Sequence, residues 1–285
     1  MKRILIQLDP DPLASTFDRV VAIDVGVEEL FSYGGVTPEN AVPLVHGAMF
    51  TRTPKELANT AIFIGGSDVQ AAEKIFSKVQ QTFFGPMRVS VMLDPNGSAT
   101  TAAAAVRCVA SHLSLKNLDT LILGGTGPVG QRCAQLLAAQ GANVRIASRS
   151  LPRAEAIAAT IRSTVDGAHV IACECSDEGL AAAVDGVSLI LAAGAAGVQF
   201  LKAPEWQEIE TLKMAIDLNA VPPLGLEGVE ATDAGVSRGE VICYGALGVG
   251  PIKMRIHRAA LEKLFTANDL VLDTMAIGRM KDEDL

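Results

Sequence analysis

The chain has 285 residues, of which 49% are hydrophobic and only 4% aromatic, and its formal net charge is −8 at pH 7. That length allows one large or two modest domains around a core built mainly from Ala, Val, Leu and Ile. The acidic balance argues against nucleic acid as a partner, because neutralising phosphates needs a basic face. No stretch reaches membrane-spanning length without a charge or glycine. The opening "MKRILIQLDPDP" (1–12), interrupted by Gln7 and Asp9, reads as a first strand and not a signal peptide, so a cytoplasmic protein is expected.

Taken in order, strand-like and helical runs alternate. "RILIQL" (3–8) predicts a strand, and "TFDRVVAIDVG" a turn into a helix. "AIFIGG" (61–66) predicts a strand ending in a glycine pair. Asp68 then caps a helix whose apolar face is Val69, Ala72, Ile75, Phe76 and Val79. "MRVSVML" (87–93) alternates like a strand, and "GSATTAAAAVRCVASHL" (97–113) predicts a helix capped by Ser98. Strand 119–124, helix 128–140 with Gly141 as its stop, strand 143–148, helix 152–164, strand 168–174, helix 177–184 and strand 187–194 follow. Strands at 213–218 and 240–245 come next, and "IKMRIHRAALEKLF" predicts a basic helix beyond the last of them. Strands separated by helices of this length imply an α/β fold with a Rossmann-type, doubly wound parallel sheet. The expected division is a smaller α/β domain over 1–100, completed by helices of 253–285 folding back, and a dinucleotide domain over 101–252.

The stretch "TLILGGTGPVGQ" (120–131) carries Gly125, Gly127 and Gly130 in G-x-G-x-x-G spacing, after an apolar strand and opening a helix. Gly125 permits the tight turn, Gly127 lets the backbone approach a pyrophosphate, and Gly130 lets helix and strand pack. Free N–H groups and the positive end of the helix dipole then face the phosphates. About twenty residues on, an NAD-preferring protein places Asp or Glu against the ribose 2′-hydroxyl. Here stand Ser148, Arg149 and Ser150, with Arg153 one helical turn further. A carboxylate would repel a 2′-phosphate, whereas arginine pairs with it and can stack on adenine, so NADP is the expected cofactor.

The five cysteines (Cys108, Cys133, Cys173, Cys175, Cys243) are odd in number and scattered, which predicts small buried side chains in a reducing compartment. Without H-E-x-x-H or paired C-x-x-C, no metal site is expected. His46, His112 and His169 fall in unrelated elements; His257 lies four residues after Lys253, on the same face of a helix, with no nucleophile of recognisable motif. Three stretches suit contacts better than packing. "STFDRV" contains Phe17 and Asp18; "MLDPNGSATT" contains Asp94, Asn96, Gly97, Ser98, Thr100 and Thr101; "YGALGVGPIKMRIHR" contains Tyr244, Gly245, Gly248, Gly250, Lys253 and His257. Each has a structural alternative: Asp94 and Asn96 as turn residues, Ser98 as a helix cap, Tyr244 as a half-buried strand residue. A hydride partner is expected in the cleft between the two domains.

These residues carry a resemblance to the NADP-dependent methylene-tetrahydromethanopterin dehydrogenases of methylotrophic bacteria. It runs nearly end to end: "FD" at 17–18, "YGGVTPEN" at 33–40, "TAIFIGG" at 60–66, "FFGPMRVSVMLDPNGSATTAAA" at 83–104, "GGTGPVG" at 124–130, "PPLG" at 222–225 and "YGALGVGPIKMRIHRA" at 244–259. The resemblance implies reversible oxidation of methylene-tetrahydromethanopterin to the methenyl form with NADP as acceptor, by a two-domain subunit in a homo-oligomer, a trimer or another form. It implies Lys253 as the catalytic residue and Phe17, Asp18, Asp94, Asn96 and Thr101 as pterin-binding residues in the 1–100 domain and at its border. For the cofactor it implies Gly125, Thr126, Gly127, Pro128, Val129, Gly130, Ser148, Arg149, Ser150, Arg153, Ala193, Asn219, Gly245 and Leu247. Ser150 stands where members of the family carry a second basic residue, which leaves NAD use open. The alternative is a methylene-tetrahydrofolate dehydrogenase, or dual pterin and folate specificity. Tyr33 is followed four residues later by Thr37, not by the lysine of bifunctional folate enzymes, which disfavours their cyclohydrolase chemistry. A regulator that binds NADP without turning it over would need a partner surface that the acidic composition does not offer.

Overall fold

The computed structural model describes residues 1–284. In chain order the elements are β1 (Ile4–Leu8), α1 (Thr16–Asp24), β2 (Glu29–Tyr33), α2 (Pro38–Phe50), β3 (Thr60–Ile64), α3 (Val69–Thr82), β4 (Ser90–Leu93) and α4 (Ser98–Ala110). Then come β5 (Asp119–Leu123), α5 (Pro128–Ala139), β6 (Asn143–Ser148), α6 (Leu151–Thr164), β7 (His169–Glu174), α7 (Asp177–Ala183), β8 (Leu189–Ala192) and α8 (Ala203–Gln207). The rest are β9 (Met214–Asp217), β10 (Ala234–Arg238), β11 (Val241–Gly245), α9 (Ala246–Lys263), β12 (Val271–Leu272) and α10 (Thr274–Gly278). Two compact units result: Met1–Thr100 with Met254–Leu285, and Thr101–Lys253, the second division falling inside α9.

In the first unit a sheet of order β12-β4-β3-β1-β2 pairs in parallel throughout. All five residues of β3 are buried, as a continuous apolar run in a parallel strand covered on both faces should be. Its core joins Leu8, Ile62, Ile64, Val91 and Leu93 to Val45 and Met49 of α2 and to Ala72, Ile75 and Val79 of α3. The α3 face is the predicted one, capped by Asp68, whose carboxylate accepts from the Ala71 N–H.

In the second unit the sheet order is β10-β11-β9-β8-β5-β6-β7, parallel except for the antiparallel β10–β11 edge. Order reverses beside β5, so β5 and β8 flank a topological switch point, where open α/β sheets bind ligands at the carboxyl ends of their strands. The core around Leu121, Ile190, Ala215 and Val241 includes Trp206, whose indole N–H donates to the Glu227 carbonyl at 2.9 Å.

Several boundaries differ from expectation for identifiable reasons. Strand 87–93 shortens to Ser90–Leu93 because Phe84 and Met87 exchange backbone hydrogen bonds in a tight turn. α9 begins at Ala246, directly after β11, and so carries Pro251 inside it. Ser98 is not the cap of α4: its hydroxyl donates to the Pro95 carbonyl at 2.6 Å. The amides of Ala99 and Thr100 are instead accepted by Asp94 Oδ1, at 2.8 and 3.2 Å.

Candidate active site

In the second unit, the glycine loop sits between the end of β5 and the start of α5. A Cβ at Gly130 would lie 2.8 Å from both the Gly124 carbonyl oxygen and Gly125 Cα, and one at Gly125 would lie 2.7 Å from Ile146 Cγ2. At Gly127 it would stand 3.3 and 3.4 Å from the Gly124 and Ala193 carbonyl oxygens. The bare backbone is therefore a steric requirement of the turn. Gly127 is the N-cap, with no side chain closing the helix end, and Pro128 follows at the first turn, where its missing N–H costs nothing. The amides of Val129 and Gly130 belong to that same first turn, which has no intrahelical carbonyl to offer them. Such a cradle, open at a helix N-terminus, fits the pyrophosphate of a dinucleotide.

Thr126 Oγ1 and Ser148 Oγ stand 3.2 Å apart, tying the loop to the end of β6. Ser148 Oγ also accepts from the Ser150 N–H at 3.2 Å. Arg149 and Arg153 project from the exposed start of α6, with Ser150 as N-cap making no side-chain capping bond. Arg149 lies near enough to Cys175 for its charge to oppose the rise that burial imposes on that thiol's pKa.

The remaining expected cofactor contacts are placed unequally. Ala193 presents its carbonyl to the Gly127 position. Asn219 is only 7% exposed, and its side chain closes its own loop: Oδ1 accepts from the Val221 N–H and Nδ2 donates to the Pro223 carbonyl. Gly245 answers a packing demand, since a Cβ there would lie 2.0 Å from the Glu230 carbonyl oxygen. Leu247 is exposed on the first turn of α9 and donates its N–H to the Ala231 carbonyl.

In the first unit, polar side chains gather at the carboxyl ends of β1, β3 and β4. Asp94, directly after β4, is fully buried and also accepts the Thr100 hydroxyl at 2.6 Å. Its Oδ2 lies 3.4 Å from His257 Nδ1, and His257 Nε2 lies 3.8 Å from Asp18 Oδ1. The His257 ring meets Phe17 edge-on at 6.1 Å and Phe63 at 5.9 Å between centroids. Phe63 is buried, whereas Phe17 keeps half its surface exposed. Asp18 sits in the first turn of α1, where the helix dipole favours its charge. Asp9, after β1, accepts the amides of Asp11 and Ser15, and burial raises its carboxyl pKa. A Cβ at Gly65 would stand 3.1 Å from the Phe63 ring, with Asp18 Oδ2 and Asp9 Oδ2 in ordinary contact at 3.4 and 3.6 Å, so both carboxylates border this position.

Phe17, Asp18 and Asp94 are thus brought together. Asn96 is exposed, in the left-handed region at φ 54°, which Asn tolerates better than most residues. Thr101 is half-buried on α4, and Lys253 half-buried on α9, one turn before His257. His257 belongs to the cluster, although its sequence neighbourhood alone gave it no role. The signal was its helical spacing from Lys253; its partners come from elements far away in the chain. Among the described residues, no group of His, Cys, Asp or Glu has the arrangement of a metal site.

Residues 16–96 match the family model described as methylene-tetrahydromethanopterin dehydrogenase, N-terminal. A Methylorubrum extorquens protein named "Bifunctional protein MdtA" is 43% identical over 285 residues, covering 99% of each chain. A second protein of that organism, "NAD(P)-dependent methylenetetrahydromethanopterin dehydrogenase", is 34% identical over 289 residues, covering 95% of each. Among solved structures, the shikimate 5-dehydrogenase of Listeria monocytogenes, in complex with shikimate and NAD, shares the fold with a TM-score of 0.53 at 13% identity, covering 97% of this chain and 95% of its own. Identity over nearly the whole length of the two Methylorubrum proteins, with the matched N-terminal model, means that the chain belongs to the methylene-tetrahydromethanopterin dehydrogenase family.

Proposed function

We propose that this protein catalyses reversible hydride transfer from methylene-tetrahydromethanopterin to NADP, giving the methenyl form. The observation that carries this reading is the glycine cradle followed by Arg149, in a chain 34% identical to an enzyme named for that activity. NADP, when bound, supplies the hydride acceptor. Residues 125–130 hold its pyrophosphate, and Arg149 with Arg153 receives the 2′-phosphate. Ser150 adds no second positive charge, so NAD remains a weaker alternative.

The substrate carbon lies between two nitrogens. Hydride loss leaves an amidinium-type cation stabilised by their lone pairs, and no proton moves in that step. The chain's task is to hold the reacting carbon in place and keep water away. Asp18 and Asp94 give their end of the first unit negative character, which suits a product that gains positive charge. Lys253 has the opposite effect: beside a developing cation its ammonium costs about 4 kcal/mol at roughly 4 Å and an effective dielectric near 20. Its role is therefore to orient the pterin through a heteroatom or carboxylate. Phe17 offers an exposed ring face to the pterin.

A homo-oligomer, trimeric by the family resemblance, is supported by the apolar surface α1 leaves open at Val20 and Ile23, each 54% exposed. A cytoplasmic location is supported by the five cysteines, all of them free thiols. The test is to mix the protein with methylene-tetrahydromethanopterin and NADP and follow NADPH absorbance, with methylene-tetrahydrofolate and NAD in parallel. NADPH should accumulate fastest with the methanopterin carrier and NADP; no NADPH with any carrier overturns the reading.

A further inference from the structure

One buried carboxylate in the second unit has no place in the account so far. Asp217 ends β9 and is 1% exposed. Burial raises its pKa, yet both its oxygens are engaged by backbone donors. The Asn219 N–H donates to Oδ1 at 2.9 Å and the Leu226 N–H to Oδ2 at 2.8 Å. A Cβ at Gly225 would stand 3.1 and 3.3 Å from the two oxygens and 3.0 Å from Ala192 Cβ, so the loop closes directly over the carboxylate. One side chain thereby fixes both ends of the 219–226 loop.

That loop is not isolated. The Gly225 carbonyl accepts the amides of Phe200 and Leu201, at 2.8 and 3.3 Å. The Phe200 ring fills the space a side chain at Gly194 would need, with ring carbons 2.4 Å from its Cβ position. Gly194 in turn abuts the phosphate loop: a Cβ at Gly124 would lie 2.6 Å from Gly194 Cα. A continuous packed path therefore runs from Asp217 through Gly225, Phe200 and Gly194 to Gly124. Arg149 follows β6, on one side of β5, whereas the loops on this path follow β8 and β9, on the other. A dinucleotide laid across the switch point with its adenosine at Arg149 has its nicotinamide half over these loops.

We infer that Asp217 is a positioning residue for the nicotinamide half of NADP, holding the 219–226 loop against the 193–200 loop so that the ring's seat is built before the cofactor arrives. This rests on the cofactor assignment proposed above. It separates the two halves of the site: Arg149 and the glycine cradle hold the phosphate end, and Asp217 sets the nicotinamide end, both its share of the affinity and its geometry.

The experiment uses the full chain and two ligands measured by calorimetry: NADP and 2′-phospho-ADP-ribose, which lacks nicotinamide. Asp217→Asn keeps the shape but turns an amide NH2 toward a backbone donor. It should leave affinity for the truncated ligand unchanged, weaken NADP binding by about tenfold and lower kcat by at least that factor. The KM for the pterin should hold. Gly225→Ala, which presses on the same carboxylate without removing it, should shift the same ligand difference in the same direction and serves if Asp217→Asn folds poorly. Equal weakening of both ligands, or no change in either, overturns the inference while leaving the cofactor assignment intact. A wild-type protein that binds neither ligand overturns both.

Discussion

Asp94 Oδ2 lies 3.4 Å from His257 Nδ1, and both side chains are shut off from solvent. The same carboxylate caps α4 through the amides of Ala99 and Thr100, so one residue joins a strand end, a helix N-terminus and a buried imidazole. Asp94→Asn would set an amide NH2 against groups that now donate to it. The loss should be about 3 kcal/mol of folding stability, the range for breaking a buried polar pair. Urea unfolding monitored at Trp206 reads this directly; a change in midpoint equivalent to less than about 1 kcal/mol contradicts the placement of Asp94.

Arg149 should discriminate between cofactors. On the proposed assignment, Arg149→Ala removes a charge-assisted partner of the 2′-phosphate, an interaction of about 1.5–3 kcal/mol, so the KM for NADP should rise roughly ten- to a hundredfold. The KM for NAD should change little. Initial-rate kinetics with both cofactors decide the matter, and equal effects on the two would remove Arg149 from the 2′-phosphate site.

The thiols should differ sharply in reactivity. Burial pushes Cys108 and Cys243 up to about 11 and Cys133 to about 12, so at pH 8 only about a thousandth of the first two exists as thiolate. Cys173 and Cys175 are also raised by burial, less strongly, and are only half-buried. Iodoacetamide at pH 8 should therefore label Cys173 and Cys175 first, and Cys108, Cys133 and Cys243, each at most 2% exposed, only when the chain is unfolded. NADP should slow modification of Cys175, which neighbours Arg149. Mass spectrometry of peptides, with and without NADP, checks both statements.

Lys253→Met keeps the apolar stem of the side chain and deletes its ammonium. Turnover should fall by at least about a hundredfold while the Kd for NADP stays within the error of the measurement. Near-wild-type activity would show that orientation of the pterin does not depend on Lys253.

Much of this was legible in the sequence because it is local. The cradle needs glycines at fixed spacing between a strand and a helix, and Gly130 meets the Gly124–Gly125 backbone as helix–strand packing there requires, whereas the left-handed turn expected at Gly125 falls on Gly124, at φ 67°. The β6 end at Ser148 and the parallel strands of the second unit follow from their apolar runs, whereas the exposed edge strand β10 (AGVSR) offers none and is unpredicted. What escaped was non-local or short. β2 (ELFSY) is a mixed, half-exposed edge strand, and β12 is two residues long, so neither has a periodic pattern to detect. α2 opens on a Thr37–Asn40 capping box that breaks the usual Ser/Thr-x-x-Glu form. Ser98 was the nearer candidate for capping α4, but Asp94 reaches further and brings a charge. The partnership of Asp94 with His257 joins residues 163 positions apart, and only the packing of α9 onto the carboxyl end of β4 creates it.

The most direct test is a crystal structure of the protein with NADP and methenyl-tetrahydromethanopterin bound together. The pyrophosphate should rest on the first turn of α5, the 2′-phosphate on Arg149, and the nicotinamide C4 about 3.5 Å from the methenyl carbon. A cofactor bound away from the 124–130 turn, or a pterin whose one-carbon unit lies out of hydride range of that ring, would contradict the account.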